Sequence, residues 1–199
     1  MTENKVFCGD AAEILKSLPQ GSANMCVTSP PYYGLRDYGI ENQIGTEQTP
    51  QEYVDRLIRV FDEVYRVLMD DGTLWLNIGD SYAGSGKGKG LLQEDNVKDR
   101  PIYDKGSKVF SMPNRWENIK QKDLIGIPWM LAFALRERGW YLRSDIIWHK
   151  INALPEAVKD RPAKCYEHIF LLAKSPRYYF DYEAIQQPIK AVTEARYTR

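Results

Sequence analysis

The sequence predicts an α/β domain with a mainly parallel sheet, and three observations carry that prediction. Short β-rich segments alternate with amphipathic helical ones through residues 5–78 and again from residue 128 onward. One of the helices carries a full set of start signals and leads through a glycine into an apolar strand. The chain then closes on two β-rich segments around a proline turn. Strands alternating with helices imply parallel pairing with helices against the sheet, and the closing pair adds an antiparallel hairpin.

In order along the chain, Lys5-Val6-Phe7-Cys8 reads as a short buried strand, followed by Gly9-Asp10 and a helix over about 11–18 that Pro19 stops. Asp10 fits the N-cap, with Glu13 three residues on. A second strand, Asn24–Thr28, runs directly into Ser29-Pro30-Pro31-Tyr32. The clearest helix spans about 51–69, where Val54, Leu57, Ile58, Phe61, Val64, Tyr65 and Leu68 recur at steps of three and four. Thr49 caps it, Pro50 takes its first position, Glu52 completes the T-x-x-E box, and Gly72 ends the unit. Thr73–Ile78 is the next strand, ending at Gly79-Asp80. Pro128 starts a helix that Gly139 closes, and Tyr141–His149 is a strand. Glu167–Ala173 and Arg177–Asp181 then flank Lys174-Ser175-Pro176 as the two limbs of a hairpin.

The chain has 199 residues and 23.0 kDa, with 43% hydrophobic and 27% charged side chains, which suits one globular domain over 1–199. No apolar run approaches the length of a membrane span, and the N-terminus lacks the basic and apolar regions of a signal peptide, so a cytoplasmic location is expected. Cys8, Cys26 and Cys165 are odd in number and lack C-x-x-C spacing, and they read as small buried side chains. With His149 and His168 the only histidines, no metal is expected.

The formal net charge is zero but unevenly spread. Residues 1–83 carry 6 basic and 13 acidic side chains, residues 84–122 carry 9 and 5, and residues 123–199 carry 12 and 9. The segment 84–122 also breaks the strand–helix rhythm, opening with Gly84-Ser85-Gly86-Lys87-Gly88-Lys89-Gly90, and reads as a basic loop or insertion. Its glycine and lysine spacing fits no phosphate-binding P-loop. Lys87 and Lys89 are its candidate contacts to a nucleic-acid backbone; a solvated basic face is the alternative.

The chemistry concentrates where a loop leaves the carboxyl end of a strand, the expected place for a site in an open α/β sheet. In Ser29-Pro30-Pro31-Tyr32, two prolines restrict the backbone and lack N–H donors, so the loop is stiff and can present carbonyls as acceptors. Ser29 adds a hydroxyl and Tyr32 a flat aromatic face. Such a set suits the exocyclic amino group of a base, whose lone pair is delocalised into the ring. Two acceptors on its N–H bonds favour a pyramidal nitrogen with a localised lone pair, and an aromatic ring can stack on a base taken out of the helix. A proline-containing turn with a packed tyrosine is the competing reading.

Ser-Pro-Pro-Tyr is the catalytic motif of the DNA amino-methyltransferases, and the chain resembles that family well beyond it. Ser29 to Gly39 is similar to the extended motif. Val64 to Leu68 with Asp71 to Asp80, Trp148 to Asn152 with Pro155, and Glu167-His168 to Asp181 resemble the family's later segments in order. The resemblance implies a Rossmann-like methyltransferase fold and S-adenosylmethionine as methyl donor. Double-stranded DNA is the implied substrate, with restriction–modification, phage self-protection and regulation all open as biological roles. It implies that Ser29 and Pro30 bind the target amino group, that Tyr32 stacks on the flipped base, that Asp10 contacts the adenine part of the cofactor, and that the Ser29 loop also touches the cofactor's edge. Direct involvement of Asp80 is not expected, and Trp148 reads as core.

Serine at the first motif position favours N4 of cytosine over N6 of adenine. The family's Asp-Pro-Phe-x-Gly-Ser-Gly-like loop, which holds the methionine part of the cofactor, is not reached by Arg199. The fold is therefore expected to be incomplete at its C-terminus, with a C-terminal half or second subunit as partner. The alternative is a catalytically silent fragment that binds DNA or pairs with the protein supplying the cofactor half. A carbon-5 cytosine methyltransferase is excluded, because that chemistry needs a nucleophilic cysteine that the loop lacks.

Overall fold

Three helices pack on one face of a four-stranded sheet in the computed structural model, which describes residues 4–84, 118–153 and 155–187. In chain order the elements are α1 (Ala11–Lys16), β1 (Ala23–Thr28), α2 (Pro50–Val67), β2 (Leu68–Ile78), α3 (Ile127–Glu137), β3 (Tyr141–His149) and β4 (Tyr166–Ala173). The sheet order is β1-β2-β4-β3, with β1 and β2 parallel and β4 antiparallel to both of its neighbours. Three strands thus share a direction, while two of the three pairings are antiparallel, because β4 inserts between β2 and β3.

The core follows from two periodicities that meet. Along β2, Leu74, Leu76 and Ile78 alternate onto one face, opposite Leu172, Phe170 and His168 of β4. Along α2, Tyr53, Val54, Leu57, Phe61 and Val64 form one stripe, and Leu131 and Leu135 of α3 join them in one buried cluster. The α2 cap is as the sequence predicts: Thr49 accepts from the Glu52 amide at 3.2 Å, and the Glu52 carboxylate accepts from the Thr49 amide at 3.1 Å. Arg66 ties the end of α1 to α2 by donating to the carbonyls of Leu15 at 2.7 Å and Leu18 at 3.0 Å.

Several expectations are corrected. Lys5–Cys8 forms no strand: it pairs with none of the described strands although β1 is an edge strand, and Val6 is 97% exposed. The hairpin takes a different form: its first limb is β4, but 177–181 is irregular, since both edges of β4 are already occupied by β2 and β3. Cys8 is exposed rather than buried, and Trp148, on the edge strand β3, is 52% exposed rather than core. No described helix is long and apolar enough to cross a membrane.

Lys87 and Lys89 lie outside the described residues. The chain leaves for that segment and returns at one place: the Ala83 amide donates to Asp123 at 2.9 Å and the Lys122 amide to Ala83 at 3.0 Å.

Two substitutions test this account of α2. Thr49→Ala should destabilise the protein by about 1 kcal/mol through loss of the cap, and Phe61→Ala by about 3–5 kcal/mol through the cavity it leaves. Urea unfolding of both variants measures this, and equal losses would contradict it.

Candidate functional site

The strand order determines which side chains meet. β1 and β2 deliver Ser29 and Gly79 at their carboxyl ends, and β4, running the other way, starts there with Tyr166-Glu167. Lys150, one residue beyond β3, joins the group and pairs with Glu167.

The Ser29 loop is held from below. The Tyr53 hydroxyl donates to the Pro31 carbonyl at 2.7 Å from within the core. Burial pushes the Tyr53 phenol well above its ordinary value, reinforced by the charge of Glu47, so it remains a donor. Gly45 presses on the loop from the side: at φ +106 its backbone lies so close that a Cβ there would stand 2.9 Å from the Tyr32 carbonyl oxygen.

Tyr32 is anchored through its hydroxyl. The oxygen lies 2.9 Å from Asn77 Oδ1, 3.0 Å from Glu167 Oε2, and 3.4 Å from Ser29 Oγ, which donates to it. Asn77 is itself oriented, because its Nδ2 donates to the His168 carbonyl at 3.2 Å and so turns Oδ1 toward the phenol. Burial pushes the Tyr32 phenol up to about 12; the Ser29 hydrogen bond opposes this and Glu167 adds to it. The ring rests on Gly79, where a Cβ would fall 2.7 Å from Tyr32 Cε2. Ser29, Pro30, Pro31, Tyr32, Leu35 and Arg36 line a cavity of about 280 Å³.

A second cavity, of about 420 Å³, runs from this loop under β1. Gly9 and Ala11 flank it beside Ser29 and Pro30, with Phe7, Ile14, Ile44 and Phe61 among its apolar walls. Asp10 caps α1 at its mouth, one oxygen accepting from the Glu13 amide at 3.1 Å. Among the described residues no group of three metal-ligating side chains occurs.

Asp80 has a structural task. Its carboxylate accepts from the amides of Ser81 at 2.9 Å, Gly126 at 2.9 Å and Ile127 at 3.1 Å, capping α3, whose own N-cap, Gly126, has no side chain to offer. Burial raises its pKa, and these amides hold it down.

Ser29, Pro30 and Tyr32 line one cavity, and Asp10 stands between Gly9 and Ala11, which line the adjoining one. Sequence reasoning missed Tyr53, Asn77, Gly79, Lys150 and Glu167. The Asn77–Asp80 and Glu167-His168 segments were visible as part of the family resemblance, but nothing local assigned their side chains a task.

Comparison with known proteins agrees with the fold. Residues 23–199 match the N6/N4 family model described as DNA methylase. The chain is 50% identical over 182 residues to the type II methyltransferase M.Cfr9I of Citrobacter freundii, an alignment covering 92% of this chain and 58% of that protein. It is 48% identical over 184 residues to M.SmaI of Serratia marcescens, covering 92% and 60%. The chain therefore spans less than two thirds of the length of these curated relatives. Among solved structures, the cytosine-N4-specific PvuII DNA methyltransferase superposes with a TM-score of 0.60 at 17% identity, covering 90% of this chain and 52% of that one. A Thermus thermophilus protein solved with S-adenosyl-L-methionine gives 0.55 at 22% identity, covering 96% and 62%.

The contact between Gly79 and Tyr32 can be tested without any assay of activity. Gly79→Ala should cost about 1–3 kcal/mol by overpacking against an anchored ring. In a double-mutant cycle with Tyr32→Ala the losses should be less than additive by at least about 0.5 kcal/mol, because removing the ring relieves the clash. Strict additivity would show that the ring does not rest on Gly79.

Proposed function

This chain belongs to the DNA methylase family whose model it matches over residues 23–199, and we propose that it is the catalytic portion of an S-adenosylmethionine-dependent enzyme that methylates an exocyclic amino group of a DNA base. The observation that carries this reading is one loop at which Ser29, Pro30 and an anchored Tyr32 line the same cavity. The Pro31 carbonyl is engaged by Tyr53, and Ser29 donates its own proton to Tyr32, which leaves the serine oxygen as an acceptor.

Ser29 Oγ and the Pro30 carbonyl accept the two N–H bonds of the target amino group and localise the nitrogen lone pair. Tyr32, held by its hydroxyl and supported by Gly79 on one side of its ring, offers the other side to a base rotated out of the duplex. When bound, the cofactor supplies an electrophilic methyl group on a sulfonium. Asp10 and the apolar slot beside Ser29 receive its adenosine end.

N4 of cytosine is the favoured target over N6 of adenine. Serine at position 29 supports the preference, as does the likeness in fold to a cytosine-N4-specific enzyme. The biological setting proposed is modification of DNA alongside a nuclease, as in the type II systems of its relatives. Lys87 and Lys89 are proposed as phosphate contacts. In support, the segment that carries them departs beside a cleft of about 670 Å³ whose lining includes Lys122, Lys159 and Arg161.

Three experiments on the full-length enzyme test the proposal. Ser29→Ala should lower single-turnover methyl transfer by about 10²–10³-fold while leaving DNA affinity within a few-fold, since the lost acceptor acts on the transition state. Nucleoside analysis of the wild-type product should then show N4-methylcytosine; an unchanged rate in the variant, or methylation at a ring carbon, would overturn the reading. Lys87→Ala with Lys89→Ala should reduce the slope of log affinity against log salt by about 1–2; an unchanged slope would remove these lysines from the DNA contact.

A further inference from the structure

A serine hydroxyl can accept a hydrogen bond from the target amino group, but it cannot retain the proton that the methylated nitrogen must lose. Motifs that begin with aspartate carry a carboxylate at this position; here the nearest linked carboxylate belongs to Glu167, reached through Tyr32. We propose that Ser29 Oγ, the Tyr32 hydroxyl and the Glu167 carboxylate form a proton exit from the target amino group, with Glu167 as its terminal acceptor. The inference rests on the reading of the site as amino-methylating.

The existing hydrogen bonds already have the required polarity. Ser29 donates to Tyr32 at 3.4 Å, which leaves the serine lone pairs for an incoming N–H, and Tyr32 faces Glu167 Oε2 at 3.0 Å. One phenol proton confronts two acceptors, Glu167 Oε2 and Asn77 Oδ1, so one of them is left without it. A proton on Glu167 resolves this. The protonated carboxyl then donates to the Tyr32 oxygen while Tyr32 donates to Asn77, and every group is partnered. The site thus contains a vacancy for one proton.

In the step itself, the amino lone pair forms the N–C bond as the S–C bond of the sulfonium donor breaks, its electron pair remaining on sulfur. The N–H bond electrons return to nitrogen as the proton passes to Ser29 Oγ. Ser29 hands its own proton to the Tyr32 oxygen, and Tyr32 hands its proton to Glu167, which becomes neutral. Glu167 faces Tyr32 from the motif loop, Lys150 from the end of β3, and Lys164 from the segment before β4, with Asp80 opposing Lys164. The Glu167 side chain itself keeps 17% exposure beside the more open Lys150, so the carboxyl can pass the proton to water between turnovers.

Glu167 touches no substrate and acts through Tyr32, as a positioning residue, so its test needs more than a rate. In the full-length enzyme, Glu167→Gln should lower single-turnover methyl transfer about 100-fold, affect kcat rather than KM, and abolish the acidic limb of the pH–rate profile. Tyr32→Phe keeps the ring and breaks the relay; it should lose as much, and the double variant should be no slower than either single one. In cofactor-free protein, the absorbance titration assigned to Tyr32 by difference from Tyr32→Phe should move to lower pH in Glu167→Gln. A Glu167→Gln enzyme with the wild-type rate and acidic limb, losses that multiply in the double variant, or an unmoved Tyr32 titration would overturn the relay. None of these would touch the amino-methylating reading, which fails separately if the wild-type enzyme methylates no amino group.

Discussion

The reversed direction of β4 is the constraint on which the site depends. A strand of 8 residues is about 26 Å long at 3.3 Å per residue. Were β4 parallel to β1 and β2, Glu167 would stand at the far end of the sheet from Ser29. Because β4 runs the other way between β2 and β3, its first residues meet the last residues of both neighbours. The same reversal brings Lys150 to Glu167 and fixes Asn77 against the His168 carbonyl.

Within that frame, the proline loop is made specific by what surrounds it. Its two prolines give stiffness, and Tyr53 ties down the Pro31 carbonyl from inside the core. Gly45 and Gly79 allow backbone to approach where any side chain would displace the loop or the Tyr32 ring. Core packing and chemistry are thus linked: α2 places Tyr53, and the hydroxyl of Tyr53 holds the loop above it.

Much of this was legible in the sequence where the signal is local. Thr49-Pro50 with Glu52 marks the start of α2 because capping is settled within four residues, whereas Ser29-Pro30-Pro31-Tyr32 shows a stiff, acceptor-rich turn and takes its proposed chemistry from the family resemblance. The rest depends on strand order, which periodicity does not encode. Glu167 lies 135 residues from Tyr32, and Asn77 lies 45 residues away. The second hairpin limb at 177–181 failed for the same reason: its β-rich composition is real, but β4 has no free edge to pair with it. Lys5–Cys8 has a strand's composition and no neighbour, and Trp148 has a core residue's composition on an edge strand.

The most direct test of the central claim, that Ser29 and Pro30 together grip the target amino group beside an anchored Tyr32, is a crystal structure of the full-length enzyme with cofactor product and a duplex containing its target site. The account predicts an extrahelical base on the free side of the Tyr32 ring, its amino nitrogen about 3 Å from both Ser29 Oγ and the Pro30 carbonyl, with Tyr53 still on Pro31. A base whose amino group meets the Pro31 carbonyl instead, or that lies away from Tyr32, would contradict it.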